Sequence, residues 1–440
     1  MSATQAVHAQ NARALILLGD DLSGTTEALA ASLGGHSPGW IHLHPSNFLA
    51  HFAHSERGEG ACRDALDLDV RQVPPATART RYTAAAQALL RQNLSDVLLL
   101  KVDSLLRGNI GAALAAVPPA SDRPVVLAPA LPAQGRHTLR GRVQLPDGAA
   151  VLPGALEGAR ADVAAAAGRP TALVDLSVVR AGPQTLSTAL GRLAEQRLVA
   201  VCDAETDEDL DAVAAAAIKH RHPVIAGAGG VAAALGRALR GDHTGSDGRP
   251  GATFGGCSGP LEPAAPVLVV VGTAEPVSRT QVIRLQHAGA VVQSVEPSDR
   301  GPAAETVNAL DRALGTGWGV LQVAPGPVDV DRSARLLDRL ADTTAAVLAR
   351  HPLARMVLTG GATARAVLTR LRVDKLRLQC QVHPGAAHLR TVDGRHVVTR
   401  PGSHGGEDSL ARIAYHLGAP LPRTDRPTQT PAHHTTEGHE

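Results

Sequence analysis

The chain has few aromatic residues and very little lysine or methionine. Of its 440 residues only 2% are Phe, Trp or Tyr, two are Met, and the lysines are Lys101, Lys219 and Lys375. The basic residues are therefore almost all arginine, a bias of the whole chain, so a single surface arginine needs no functional explanation. Because the formal net charge is only +2, we do not expect nucleic acid as a partner.

Cysteine and long apolar runs are also scarce. Cys62, Cys202, Cys257 and Cys380 are scattered without CxxC spacing, so the sequence predicts neither a disulfide framework nor a zinc site, and no metal ligands. The first eleven residues are polar, and no apolar run reaches the roughly 18 residues that a membrane span needs. We therefore expect a soluble, cytoplasmic protein in a reducing compartment, with no membrane partner.

What the chain does contain is one recurring unit, in which a short apolar run is followed by a glycine-containing loop and an alanine-rich helical stretch. Apolar runs without alternation are typical of strands buried on both faces, and their alternation with helices predicts a parallel sheet flanked by helices. The runs are Ala14–Leu18, Val97–Val102, Val125–Ala128, Thr171–Leu176, Leu198–Cys202, Val224–Ala226, Val267–Val271, Gly319–Val323, Met356–Leu358 and His396–Thr399.

The repeating pattern stops between residues 241 and 266, where there is almost nothing to bury, and restarts at Val267. A chain of 440 residues is too long for one ordinary core. We predict an α/β protein of two domains, residues 12–240 and 267–421, each a mainly parallel sheet flanked by helices, with a linker at 241–266. Residues 422–440 are rich in Pro, Thr and His and are predicted to form a disordered tail.

Two adjacent carboxylates, Asp20 and Asp21, follow the first predicted strand in the turn Gly19–Gly24. In open α/β sheets, ligands bind beyond the carboxyl ends of the strands. Adjacent carboxylates need hydroxyls, cations or helix N–H groups around them. They suit a polyol, and one of them could take a proton from an attacking hydroxyl. The alternative is a charged cap on the next helix, which Ser23 or Thr25 could also cap.

Basic and polar residues follow other predicted strands of the first domain. Lys101 lies in an otherwise apolar run, so it either ends the strand or has a partner such as Asp103. Arginine and lysine side chains that converge with Asp20 and Asp21 would bind a carboxylate-bearing polyol through bidentate Arg–carboxylate contacts. The polar clusters concerned are Asp67–Arg71, Lys101–Asn109 and Ala133–Arg136.

The second predicted domain has small, glycine-rich loops instead, at Gly272-Thr273, Gly360–Thr363 and Gly402–Gly406. Backbone N–H groups in such loops can cradle phosphates. None of the loops is a Walker A motif or a G-x-G-x-x-G fingerprint, and a lone Gly-Gly is more often a helix start. The presence of three such loops at strand ends in one domain nevertheless favours the interpretation that they bind the phosphates of a nucleotide.

Taken together, these motifs resemble the four-carbon acid sugar kinase family, the DUF1537 group of tetronate and 3-oxo-tetronate kinases. The resemblance runs from about Ala14 to Leu417. The motifs that carry it are GDDLSG at 19–24, DLDVR at 67–71, KVDSLLRGNIG at 101–111, PALPAQGR at 129–136, GTAEPVSRTQ at 272–281, GGAT at 360–363 and RPGSHGGED at 400–408.

The resemblance implies a sugar-acid domain followed by an ATP domain, with the active site in the cleft between them. It implies ATP and Mg²⁺ as cofactors, a small sugar acid as partner, and phosphoryl transfer to a terminal hydroxyl; a homodimer is allowed.

The resemblance also implies roles for single residues. Asp21 is the predicted base or hydroxyl orienter, with Asp20 the alternative. The implied substrate-side residues are Asp20, Asp21, Arg71, Lys101, Asp103, Ser104, Arg107, Gln134 and Arg136. The implied ATP-side residues are Thr273, Gly360, Gly361, Ala362, Thr363, Gly402 and Gly405.

Several positions depart from the family pattern. Leu105 replaces a Thr on the substrate side, Glu275 replaces a Ser in the first ATP loop, and Ala362 stands where the family usually has Asp or Glu. A degenerate member that binds a sugar acid without phosphorylating it therefore stays open as an alternative. An NAD-dependent oxidoreductase fits the sheet pattern but lacks the dinucleotide fingerprint.

Overall fold

A computed structural model describes most of the two predicted domains. The described residues are 14–33, 39–54, 63–91, 96–118, 123–145, 170–240, 257, 259–297, 301–302, 304–324 and 330–421. The predicted tail lies outside these residues, as does most of the predicted linker. A search of the same residues finds no helix that is both long and apolar enough to cross a membrane.

The elements alternate between strands and helices along most of the chain. The elements before residue 145 are β1 (Leu15–Gly19), α1 (Leu22–Leu33), β2 (Trp40–His42), α2 (Pro45–His54), β3 (Arg63–Asp67), α3 (Pro75–Arg91), β4 (Val97–Lys101), α4 (Ile110–Ala115), β5 (Val125–Ala128), β6 (His137–Leu139) and β7 (Arg142–Gln144). Those between residues 170 and 240 are β8 (Thr171–Val174), α5 (Leu176–Val179), α6 (Pro183–Glu195), β9 (Val199–Cys202), α7 (Asp207–Ala217), β10 (Val224–Gly227) and α8 (Gly229–Arg240).

The later elements include a run of strands with no helix between them. They are β11 (Val267–Val271), α9 (Pro276–His287), β12 (Val291–Val295), α10 (Ala304–Gly315), β13 (Trp318–Val323), α11 (Val330–Arg350), β14 (Arg355–Thr359), α12 (Gly361–Arg370), β15 (Lys375–His383), β16 (Ala386–Thr391), β17 (His396–Arg400) and α13 (Ser409–His416).

The described residues form two compact units. The described residues within Met1–Ser258 and Leu358–Pro401 form the first unit, and those within Gly259–Val357 and Gly402–Glu440 form the second. By compactness, therefore, residues 358–401 group with the N-terminal part of the chain. The predicted domain boundaries at 240 and 267 themselves stay predictions.

The first unit contains a large, mainly parallel sheet. Its strand order is β17-β16-β15-β2-β3-β1-β4-β10-β5-β9-β8, and the pairs from β2 to β8 are parallel. The central strands β1, β4, β5 and β10 are buried along their whole length. Burial on both faces explains why their sequences do not alternate between apolar and polar residues.

The second unit repeats the parallel arrangement on a smaller scale. Strand β13 lies between β12 and β11 and pairs with both in parallel. The α/β fold predicted from the alternating pattern is therefore confirmed. The strand predicted at Thr171–Leu176 is too long by two residues, because Asp175 accepts a hydrogen bond from the backbone N–H of Val178 and caps α5.

Antiparallel strands at one edge of the first unit were not predicted. Strand β15 pairs antiparallel with β2 and with β16, and β16 pairs antiparallel with β17. The sequence gives a weak signal here because β15 is only partly buried, with buried, half-buried and exposed residues mixed along it. A half-solvated strand does not show the uninterrupted apolar run that marks the central strands.

The prediction that the cysteines form no disulfide is wrong, because Cys257 and Cys380 are bonded across 123 residues of sequence. Their Cα atoms lie 5.4 Å apart, which is the usual separation for a disulfide. Cys202 is a buried free thiol, and burial raises its pKa to about 12. Long-range pairing of this kind has no spacing signal, so it could not be read from the sequence.

Candidate active site

The carboxyl ends of three neighbouring strands meet at the acidic turn. In the parallel register, Gly19 at the end of β1 lies opposite Asp67 at the end of β3 and opposite Lys101 at the end of β4. The segments that follow these residues therefore leave the sheet at the same edge. This alignment brings together the predicted substrate-side residues Asp20, Asp21, Arg71, Lys101 and Asp103 of the first unit.

Asp20 is held by Arg71 in a bidentate ion pair. Arg71 Nε and Nη2 donate to the two carboxylate oxygens of Asp20 at 2.7 and 2.8 Å. The Asp20 carbonyl also accepts from the backbone N–H groups of Val70 and Arg71, which fixes the segment after β3. Burial is the largest influence on the Asp20 carboxyl and raises its pKa, while the charge of Arg71 opposes that rise.

Asp21 both caps a helix and contacts Arg71. Its Oδ1 accepts from the backbone N–H of Gly24 at 3.1 Å, which makes Asp21, and not Ser23 or Thr25, the side chain that caps α1. The same oxygen lies 2.6 Å from Arg71 Nη2, and Oδ2 accepts from Ser23 Oγ at 2.9 Å. The hydroxyl, cation and helix N–H group that adjacent carboxylates require are thus all present. The Asp21 side chain is 13% exposed, whereas that of Asp20 is 4% exposed.

Lys101 ends strand β4 and is buried among these groups. Its Nζ donates to the carbonyl of Val102 at 2.9 Å. A Cβ atom built on Gly24 would lie 3.0 Å from Lys101 Nζ, 3.6 Å from Arg71 Nη2 and 2.6 Å from Asp21 Oδ1. The absent side chain at Gly24 therefore leaves the space in which two cations and a carboxylate converge.

Asp103 is the third carboxylate of the cluster. Arg107 Nε and Nη2 donate to it at 2.8 and 3.0 Å, and Arg71 Nη1 lies 3.9 Å from its Oδ1. Burial alone would raise the pKa of Asp103, but the hydrogen bonds from Arg107 and the charge of Arg71 hold it well below its usual range. The loop geometry needed for this pair is unusual, since Leu106 adopts a φ of 59°.

Ser104 and Arg136 are also brought together, because Arg136 Nη1 donates to Ser104 Oγ at 2.5 Å. Gln134 ends the short 3-10 turn Pro132–Gln134. Within the described part of the chain, no hydrogen bond or ion pair joins its side chain to the carboxylate cluster.

The segment Gly360–Thr363, predicted to lie on the ATP side, belongs to the first unit and reaches the acidic turn. A Cβ atom built on Gly361 would lie 2.1 Å from Asp21 Oδ2 and 2.9 Å from Ser23 Oγ. The backbone at the start of α12 therefore touches the carboxylate of Asp21, and only glycine allows this approach. The neighbouring Gly360 donates its N–H to the carbonyl of Arg400.

In the second unit, the loop after β11 meets the loop Gly402–Gly406. A Cβ atom on Gly402 would lie 2.6 Å from Thr273 Oγ1, and Ser278 Oγ donates to the Gly402 carbonyl at 2.8 Å. Gln281 Nε2 donates to the Gly406 carbonyl at 2.7 Å, and Gly405 has a φ of 82°. Two of the predicted ATP-side loops thus form one structure.

Two residues that support the acidic site had no role predicted for them from the sequence. Asn109 Nδ2 donates to the carbonyls of Val70 and Val73 and so supports the segment that carries Arg71. Arg365, in α12, donates to Asp67 at 3.1 Å. Burial, only partly offset by Arg365, raises the pKa of Asp67 to about 7. Asp67 belongs to the polar cluster Asp67–Arg71 predicted from the sequence, but its ion pair with Arg365 has no sequence signal because the two residues are 298 positions apart.

Two family models match the chain in succession. The sugar-binding N-terminal domain matches residues 15–235, and the nucleotide-binding C-terminal domain matches residues 268–410. A D-threonate kinase of Cupriavidus necator is 33% identical over 374 residues, which cover 79% of this chain and 85% of that protein. The chain belongs to the four-carbon acid sugar kinase family. As a member of this family, it is a phosphotransferase that uses an alcohol group as acceptor.

Further relatives agree with this assignment. A D-threonate kinase of Bordetella bronchiseptica is 30% identical, with 81% of this chain and 89% of that protein covered. A 3-oxo-tetronate kinase of Methylobacterium radiotolerans is 29% identical, with 78% of this chain and 87% of that protein covered. Solved structures of proteins from Salmonella typhimurium LT2 and Haemophilus influenzae, each 18% identical, share the fold at TM-scores of 0.70 and 0.64. The two alignments cover 92% and 90% of this chain, and 99% and 98% of the Salmonella and Haemophilus chains, respectively.

Proposed function

We propose that this kinase transfers the γ-phosphoryl group of ATP to a terminal hydroxyl of a four-carbon sugar acid of the threonate, erythronate or 3-oxo-tetronate type, in the catabolism of such acids. One observation carries the proposal: the aligned ends of β1, β3 and β4 collect two adjacent carboxylates with Arg71 and Lys101. Carboxylates accept hydrogen bonds from hydroxyls, and cations bind carboxylates. The similarity to a D-threonate kinase and a 3-oxo-tetronate kinase supports the same substrate class.

Asp21 is the proposed base or hydroxyl orienter. The Asp20 side chain is only 4% exposed and directs both carboxylate oxygens to Arg71, so it is the less accessible of the two to a substrate. Asp21 is the more exposed of the two, and a carboxylate has about four lone-pair sites, so it can accept a further hydrogen bond. A carboxylate that accepts the proton of the attacking hydroxyl raises the nucleophilicity of its oxygen.

Arg107 is the proposed ligand of the substrate carboxylate, with Arg136 as a second ligand. The Arg107 side chain is 54% exposed although its pair with Asp103 is well formed, so the exposed part of its guanidinium can reach a bound acid. Ser104, which accepts from Arg136, would offer a hydroxyl to the polyol. These assignments require the substrate to place its carboxylate and its reacting hydroxyl at opposite ends.

Thr273, Gly402 and Gly405 are the proposed ligands of ATP within the second unit. Side-chain hydrogen bonds from Ser278 and Gln281 hold the Gly402–Gly406 loop, in which Gly405 adopts a φ of 82°. Such a preorganised glycine loop fits a polyphosphate. ATP, when bound, supplies the phosphoryl group, and Mg²⁺ is expected to accompany it, mainly through the phosphates. The ATP contacts implied for Gly360–Thr363 stay a prediction.

The test is ADP release from a panel of four-carbon sugar acids with ATP and Mg²⁺. We expect turnover of at least one acid, and we expect Asp21→Asn to lower kcat by about 10²–10⁴-fold. Asparagine is a good helix cap, so this variant separates the catalytic role from the capping role better than alanine. Asp207→Asn, at an exposed position in the first turn of α7, is the matched control and should keep wild-type kcat. A folded protein that turns over none of the acids would refute the proposal.

The alternative is a binding protein that holds a sugar acid without phosphorylating it. Glu275 favours it, because this residue occupies the N-cap position of α9 in the loop after β11 without a side-chain capping hydrogen bond, and its negative charge would repel phosphates. Titration calorimetry distinguishes the two functions. Binding of the acid without any binding of ATP would support the alternative, whereas micromolar binding of ATP would exclude it.

A further inference from the structure

The two cysteines of the disulfide adjoin a pair of histidines at the antiparallel edge of the first unit. Cys380 on β15 lies directly opposite His388 on β16. The register of β15 shifts on both sides of this pair, between Leu378 and Cys380 and between Gln381 and His383. Bulges are frequent where a strand re-aims a side chain near a functional site.

The distances in this cluster suit a tetrahedral metal ion. The ligand atoms of Cys257, Cys380 and His388 lie within 4.8 Å of one another, and Cys380 Sγ is 3.6 Å from His388 Nδ1. With zinc–sulfur and zinc–nitrogen distances of about 2.3 and 2.0 Å and a tetrahedral angle, two such ligands would lie about 3.5 Å apart. The edge between Cys380 and His388 therefore already has the length that a zinc site requires.

The second ring nitrogen of His388 is also held in the way that metal-binding histidines require. His388 Nε2 lies 2.9 Å from His396 Nδ1, and His388 is buried. When Nε2 carries the proton and donates it to His396, the unprotonated Nδ1 of His388 faces Cys380. A hydrogen bond of this kind fixes the tautomer and the orientation of a metal-binding imidazole.

We propose that Cys257, Cys380 and His388 bind a zinc ion when the disulfide is reduced. The two sulfur atoms and His388 Nδ1 supply three ligands, and one further donor completes the tetrahedron. His396 is a positioning residue that acts through His388. This site is separate from the proposed kinase chemistry and does not depend on it.

The change between the two states is a balanced redox and ligand exchange. A dithiol reductant supplies two electrons and two protons, the S–S bond breaks to give two thiols, and the dithiol itself becomes a disulfide. Zinc then displaces the two thiol protons, since a coordinating thiol is deprotonated. The hairpin of β15 and β16 is thus tied to residue 257 by a covalent bond in one state and by a metal ion in the other.

Titration of the full chain with Co²⁺, a spectroscopic substitute for zinc, tests the proposal. The protein is first reduced with a phosphine, stripped of metal with a chelator and separated from both reagents without air. We expect one Co²⁺ per chain, with the visible bands of a tetrahedral ion and the ultraviolet charge-transfer band of two thiolates. Added Zn²⁺ should displace the Co²⁺ and abolish both signals.

Variants then identify the ligands. Cys257→Ser, Cys380→Ser and His388→Ala should each weaken Co²⁺ binding by more than about 100-fold, and His396→Ala by roughly 10–100-fold. Cys202→Ser and Cys62→Ser are the matched controls and should leave the titration unchanged. Any Co²⁺ held by the tail histidines His433, His434 and His439 would lack the thiolate band, so the band distinguishes the two kinds of site.

Oxidised wild-type protein provides a control that needs no substitution, because the disulfide removes both thiolates while the chain stays intact. It should show no thiolate band. Absence of that band in the reduced wild type would overturn the proposal, as would a band of equal strength in a folded Cys257→Ser/Cys380→Ser double variant.

Discussion

Asp20 and Asp21 are neighbours in sequence, yet their carboxylates are held in different ways. Asp20 is buried and gives both oxygens to Arg71, while Asp21 divides its oxygens among Gly24, Arg71 and Ser23. Arg71 links the two, and through Asp103 it reaches the loop after β4. The ion pairs and hydrogen bonds of these residues offset the cost of burying the carboxylates beside an apolar sheet.

We expect Arg71→Ala to lower the free energy of unfolding by about 3–5 kcal/mol, because it leaves the buried carboxylate of Asp20 without its cation. Arg180→Ala is the matched control, since Arg180 also binds an aspartate, Asp209, through two N–H groups. The Arg180 side chain is 49% exposed against 21% for Arg71, so its loss should cost clearly less. Urea denaturation followed by circular dichroism measures both values, and the reverse ranking would contradict the prediction.

Asp67 should make the stability of the protein depend on pH. Burial raises its folded-state pKa to about 7, whereas an unfolded aspartate titrates near about 3.9. Between these values the folded state binds more protons than the unfolded state, so stability falls as the pH rises. The free energy of unfolding of the wild type relative to Asp67→Asn should be larger at about pH 5 than at about pH 8, by roughly 2–3 kcal/mol.

Urea denaturation of both proteins at the two pH values measures this difference. Asp207→Asn, which changes an exposed carboxylate in α7, is the control and should follow the pH profile of the wild type. An equal difference between wild type and Asp67→Asn at both pH values would show that Asp67 titrates alike in the folded and unfolded states.

At the scale of elements, α12 is the helix whose position matters most for the acidic turn. Its first residue, Gly361, touches Asp21, and farther along Arg365 donates to Asp67 and to the carbonyl of Leu43. An ion pair and hydrogen bonds therefore hold the helix at the ends of β2 and β3, and its first residue contacts the turn after β1. Any shift of its first turn would move the carboxylate of Asp21.

Gly361→Ala should lower kcat by at least about tenfold and the free energy of unfolding by about 1–3 kcal/mol, because its Cβ atom would lie 2.1 Å from Asp21 Oδ2. Gly315→Ala, at the end of α10, is the matched control: its added Cβ atom would meet nothing within 4 Å. Kinetics with the best sugar acid and urea denaturation check both variants. Wild-type kcat in Gly361→Ala would show that α12 does not position Asp21.

At the scale of the whole molecule, two ligands should stabilise the protein independently. A ligand that binds only the folded state at about 100 times its Kd adds about 2.7 kcal/mol to the free energy of unfolding. We expect the sugar acid alone and ATP alone each to raise the Tm. Gly402→Ala should abolish the increase caused by ATP and keep that caused by the acid, because its Cβ atom would displace Thr273.

Gly406→Ala is the control in the same loop, since its added Cβ atom would make only an ordinary 3.5 Å contact with Asp408, and it should keep both increases in Tm. Thermal denaturation of the three proteins with each ligand provides the measurement. If Gly402→Ala responds to ATP like the wild type, the Gly402–Gly406 loop does not bind the nucleotide.

Much of this organisation could be predicted from the sequence. Strands buried on both faces have uninterrupted apolar runs, so β1, β4, β5 and β11 were found to within one residue. The acidic turn was found because two adjacent carboxylates after such a strand are costly unless they have partners. The family resemblance rests on short motifs at successive strand ends, and the two family models and the relatives confirm it.

Contacts between distant parts of the chain were beyond that reasoning. The register of β1 with β3 and β4 decides that Arg71 and Lys101 reach the acidic turn, and packing decides that Gly361 touches Asp21, 340 positions earlier in the chain. The bond between Cys257 and Cys380 is of the same kind. The pattern of apolar and polar residues in a segment indicates whether that segment is buried, because burial depends on side-chain chemistry. The same pattern does not indicate which buried segments become neighbours, because that depends on the packing of the whole unit. The sequence alone therefore determined the α/β class and the acidic turn, while the tertiary structure decided which side chains and which helix surround it.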